Sequence, residues 1–126
     1  MYISKKKINK IQDALEMSGY HTRRYIELDR IETEYFNNRH DKSNDKIGDC
    51  EFWIEYKTLK LDALRQLREA YNCYSIAKNN GIDVQLFPYT IDYVINAIKD
   101  SEFEELEWDI EFWKNRKETF LNKEVA

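Results

Sequence analysis

The side chains best suited to metal or nucleophilic chemistry are few: His21, His40, Cys50 and Cys73 are the only histidines and cysteines in the chain. A structural zinc site usually pairs such ligands a few residues apart, so that one helical face or one turn presents both. No two of the four are three or four residues apart, which argues against zinc. They could also supply a cysteine nucleophile and a histidine base, but no local motif singles out a pair. Cys73, far from either chain end and within an uninterrupted helical pattern, is expected to be buried packing. Asp41, Ser43, Asp45, Ile47 and Asp49 follow the odd-position spacing of a calcium loop. That loop requires Gly at its sixth place and a bidentate acid at its twelfth. The chain has Lys46 and Phe52 there, so a solvated polar loop is the better reading. Gly19, Gly48 and Gly81 stand alone, so there is no glycine-rich cradle for phosphates. No catalytic, cofactor-binding or metal-ligating residue is therefore assigned, and the chain is read as a non-enzyme.

Binding chemistry is better represented. Glu102 to Trp113, EFEELEWDIEFW, contains six acids, six large apolar residues and no base. On a helix, Phe103, Leu106, Ile110, Trp113 and Phe120 share one face, a sufficient core stripe. Trp108 and Phe112 fall one turn apart on the opposite side. Either another helix covers them or they form a contact face, since aromatic anchors in a polar rim are the composition of interface hot spots. The candidate partner-binding residues are Glu105, Trp108, Asp109 and Phe112. The alternative is nucleic-acid contact through Lys5, Lys6, Lys7 and Lys10 with Arg23 and Arg24, a basic group able to hold phosphates. A sequence pI near 5.3 weighs against it. Ile76-Ala77, Gly81-Ile82 and Phe87 imitate a helix-turn-helix spacing, but Pro88 would fall inside the recognition helix, where it costs about 3 kcal/mol.

The elements that must position these residues are helical. Ser4 caps a first helix with Ile8, Ile11 and Leu15 on one face, stopping at Gly19. A second helix starts near Thr22 with the stripe Tyr25, Leu28, Ile31 and Tyr35. Residues 41–49 are a polar loop. From about 50 to 80 runs the central helix, with Phe52, Tyr56, Leu59, Ala63, Leu67, Ala70, Tyr74 and Ala77 at helical spacing and Asn80-Gly81 as its stop. Residues 82–89 form an extended linker around Pro88. Thr90 caps a short helix with Ile91, Val94, Ile95 and Ile98 inward. Ser101 and Glu104 form a capping-box pattern that opens a last helix to about Asn122. Glu105 to Phe112 also alternates acidic and apolar, the period of a strand, but four acids on one face and only one β-branched residue among the eight favour the helix.

Bulk composition agrees. The chain has 126 residues, a size typical of one domain, with only three Gly and one Pro, which favours long helices over a turn-rich sandwich or barrel. The fold class expected is all-α, a single-domain bundle of four or five helices around the long central one. No eighteen apolar residues occur together and no apolar run follows the N-terminal lysines, so neither a membrane span nor a signal peptide is expected. Two lone cysteines suggest a cytoplasmic protein. Abundant Lys, Asn, Ile, Tyr and Phe with little Gly and Pro is what an AT-rich gene encodes, and suggests a low-GC bacterium, its phages or its plasmids. Net charge runs from +2 over residues 1–40 through 0 over 41–81 to −6 over 82–126, so the basic start and acidic end suit different contacts, or each other. The function expected is capture of another protein, as adaptor, inhibitor or small regulator. Wide apolar faces on two helices also allow a homodimer.

Overall fold

A computed structural model describes residues 4–39 and 45–125, and they are all-α. Three helices are long: α1 (Lys5–Arg39), α2 (Lys46–Asn79) and α4 (Asp100–Val125). The fourth, α3 (Ile91–Ala97), has seven residues. Four or five bundle helices were expected and three long ones are present, mainly because α1 runs unbroken through Gly19 where two helices were expected. An interior glycine costs only about 1 kcal/mol relative to alanine, too little to end a helix whose neighbouring turns are packed. A Cβ at Gly19 would stand 3.2 Å from the Arg23 guanidinium, so its absence gives that side chain room.

The described residues fall into two compact units. The first combines α1 up to Ile26 with Leu64–Lys99. Here α1 buries Ala14, Ser18, Thr22 and Tyr25, whereas Ile8 and Leu15, expected inward, are exposed and Ile11 is half-buried. Small residues allow close helix approach, and Ala70 and Ala77 of α2 are likewise fully buried. Burying hydroxyls here leaves them satisfied: Ser18 Oγ donates to the Leu15 carbonyl at 2.9 Å and Thr22 Oγ1 to the Ser18 carbonyl at 2.7 Å. His21 Nδ1 lies 2.7 Å from Gln66 Oε1, joining α1 to α2. Tyr25 Oη lies 3.0 Å from Tyr93 Oη, joining α1 to α3.

The end of α2 follows the expected glycine stop. Gly81 has φ +80°, and Ile82 N–H donates to the Ala77 carbonyl while Gly81 N–H donates to that of Lys78. This is the paired bonding of a Schellman cap. In the 82–89 linker, Leu86 to Tyr89 close a turn around a cis Phe87–Pro88 bond. Leu86 is buried in the core while Phe87 points to solvent. Thr90 caps α3, accepting from Tyr93 N–H at 3.1 Å, and Val94 is fully buried; Ile95, expected inward, is exposed.

The second unit combines α1 from Glu27, α2 up to Ala63, and α4. Of the polar loop 41–49, residues 41–44 lie outside the described residues, as does His40. The remainder is mostly helix, because α2 begins at Lys46, where Asp45 Oδ1 accepts from Ile47 N–H at 3.1 Å. The calcium-like spacing is thereby broken, with Ile47 and Asp49 already on helix. Cys50, one turn in, is the fully buried cysteine, and Cys73, expected to be core, is only half-buried. Helix α4 begins at Asp100, so Ser101 lies in its first turn rather than at the cap. Asp100 and Glu102 there complement the positive end of the helix dipole.

Candidate functional site

Helix α4 is seated by one face and open on the other. Phe103, Leu106 and Ile110 are buried, as the helical spacing predicts. Half-buried Trp113 stacks on Trp53 of α2, rings 6.0 Å apart and 16° from parallel. Ion pairs join the surrounding helices. Lys57 meets Asp109 at 3.1 Å, Lys117 meets Glu51 at 3.3 Å, and Lys60 meets Glu32 at 2.9 Å.

On the opposite side Trp108 is 66% exposed and Phe112 39%. Their rings stack 5.4 Å apart at 15°, and Phe112 meets Trp113 edge-on at 5.2 Å. The exposed pair is thus braced through Trp113 to the core stack beneath. Glu105 is exposed beside it, as are Glu104 and Glu111. Asp109, assigned to the same face, is instead turned toward α2 by Lys57, and both side chains are largely covered. The pair ties α4 to α2 and leaves Asp109 less open than Glu105. One turn on, Phe112, Asn115, Arg116, Thr119, Phe120 and Lys123 line a recess of about 400 Å³. Arg116 lies over the Phe120 ring, 5.4 Å from its centre. The open face therefore changes from acidic-aromatic to basic along its length.

The basic residues do not gather into one cluster. Lys5, Lys6, Lys7 and Lys10 are exposed at the start of α1. Arg23 and Arg24 follow thirteen and fourteen residues after Lys10, about 20 Å further along the helix axis. Lys6, Lys7 and Lys10 instead border a groove of about 650 Å³. Its floor includes buried Ala14 and half-buried Cys73 and Ile76. Sequence periodicity had no means of finding this groove, because it lies between residues more than fifty positions apart.

Nucleophilic chemistry finds little support in the geometry. Burial pushes the Cys50 thiol up, against partial opposition from Arg116, and burial followed by Glu69 pushes Cys73 up. Both thiols therefore resist forming the reactive thiolate. Among the described residues no group of three His, Cys, Asp or Glu could hold a metal ion. The buried acid Glu32 escaped the sequence reading, although it interrupts the apolar stripe around Ile31. Its partner Lys60 also lies over the Tyr56 ring, 5.0 Å from the centre. Burial, then repulsion from Glu32, raises the Asp29 carboxyl, while Lys60 opposes the rise. These groups form a helix-joining charge cluster. Among the described residues no helix is long and apolar enough to cross a membrane. No protein-family model matches the chain, and comparison with curated proteins and with solved structures likewise finds no match.

Proposed function

We propose that this protein is a non-enzymatic protein-binding module, an adaptor, inhibitor or small regulator, that captures its partner through Glu105, Trp108 and Phe112 of α4. The observation that carries the reading is the exposed Trp108–Phe112 stack, held on a helix whose other face is buried. An indole this open gives a partner roughly 150 Å² of apolar surface to cover, about 4 kcal/mol before the costs of association. Bracing against Trp113 means that little side-chain freedom is lost on binding, which favours affinity. Exposed Glu104, Glu105 and Glu111 supply a polar, negative rim that selects a basic surface. Two free cysteines suit a reducing compartment such as the cytoplasm.

The test compares wild type with Trp108→Ala/Phe112→Ala as bait in an extract of the source cell. The double variant should keep its helical circular dichroism and lose the proteins that wild type retains. An unchanged set of retained proteins refutes the reading.

A further inference from the structure

We propose that the lysine-bordered groove between α1 and α2 is the docking site for α4 of a second copy of this chain. The proposal rests on Trp108 and Phe112 being a contact face, and it names what that face meets. Lys6, Lys7 and Lys10 line the groove, with Asp13 the one acid among its described lining residues. Ala14, Met17, Cys73 and Ile76 supply apolar surface below them. Its volume of about 650 Å³ lies in the range of pockets that hold drug-sized molecules, enough for two aromatic side chains.

The complementary object is α4. Glu102 to Trp113 carries six acids and no base, and two exposed rings project among them. At 100° per residue Glu104, Glu105 and Glu111 lie within about 60° of Trp108, so the rings are flanked by negative charge on both sides. An amphipathic helix laying aromatic anchors into an apolar groove is a recurring recognition mode, and a lysine border fixes its charge preference. Both surfaces are open within a single chain: Trp108 faces solvent, and the described lining residues of the groove come from α1, its cap residue Ser4 and α2. Each copy thus carries both halves of the contact. Reciprocal exchange between two copies would make the same contact twice.

The experiment is charge reversal read by sedimentation velocity on the full chain. Wild type should dimerise with rising concentration, and more weakly as salt is raised. Lys6→Glu/Lys10→Glu places acids opposite acids, and Glu104→Lys/Glu105→Lys places bases opposite bases. All four positions are exposed, so each variant should keep the wild-type melt. Each alone should dimerise at least roughly tenfold more weakly, since like charges then face each other across the contact. An equimolar mixture of the two restores both contacts and should dimerise as wild type does. A wild type that stays monomeric, reversed variants that dimerise as tightly as wild type, or a mixture that dimerises no better than either variant alone would each overturn the proposal. If wild type is monomeric yet retains a foreign protein through Trp108 and Phe112, the second copy is excluded and the protein-binding reading stands. If it dimerises with no dependence on those rings, the assignment of α4 to the groove fails.

Discussion

Truncating aromatics on the two faces of α4 should have sharply different consequences. Phe103 is 5% exposed, and Phe103→Ala should cost about 3–5 kcal/mol, as core aromatic truncations do. Trp108 is 66% exposed, leaving about a third of its surface covered. With a tryptophan side chain offering on the order of 250 Å², the covered part is roughly 80 Å², about 2 kcal/mol at 25 cal/mol/Å². That is an upper bound, because much of the cover is Phe112 of the same helix, and alanine regains about 0.5 kcal/mol of helix propensity. The net expectation for Trp108→Ala is a loss of about 1 kcal/mol. Urea denaturation followed by circular dichroism measures both, with an unchanged slope showing that the transition remains comparable. A loss of 3 kcal/mol or more from Trp108→Ala would make the indole part of the core and refute the reasoning for an open contact face.

Two other perturbations test how the helices are joined and ended. Lys60→Met leaves the buried Glu32 carboxylate without its cation and should cost about 2 kcal/mol, less than a fully buried pair because Lys60 is partly solvated. Adding Glu32→Leu should recover most of that loss, and a chemical melt in which Lys60→Met alone costs under about 0.5 kcal/mol would remove the pair's structural role. Gly81→Ala should cost about 1 kcal/mol through its left-handed backbone alone, since an added Cβ meets nothing within 4 Å. Thermal unfolding unchanged by that substitution would show that the cap does not require glycine.

Helix was legible in the sequence wherever apolar spacing was sustained. The stripe from Phe52 to Ala77 and the stripe Phe103, Leu106 and Ile110 occupy the faces their periodicity predicts. Both are buried or half-buried throughout. Caps were legible where chemistry is local, as at Ser4, whose Oγ accepts from Lys7 N–H at 3.2 Å, and at Thr90 and Gly81. At Gly19 a local signal misled, because its cost of about 1 kcal/mol is small beside the packing of adjoining turns. On the first half of α1 hydrophobicity pointed to the wrong face. Ala14, Ser18 and Thr22 are buried because they are small and their hydroxyls bond to the helix's own carbonyls.

The sequence by itself determined the all-α class and the division of α4 into a core stripe and an opposite aromatic pair. Both follow from a helical period that any buried face must obey. Only the tertiary structure decided that Trp108 and Phe112 are open to solvent, that Asp109 belongs to Lys57, and that Lys6, Lys7 and Lys10 border an apolar groove. Each depends on which residues distant in sequence come to lie alongside, and helical periodicity says which residues share a face but not what covers it.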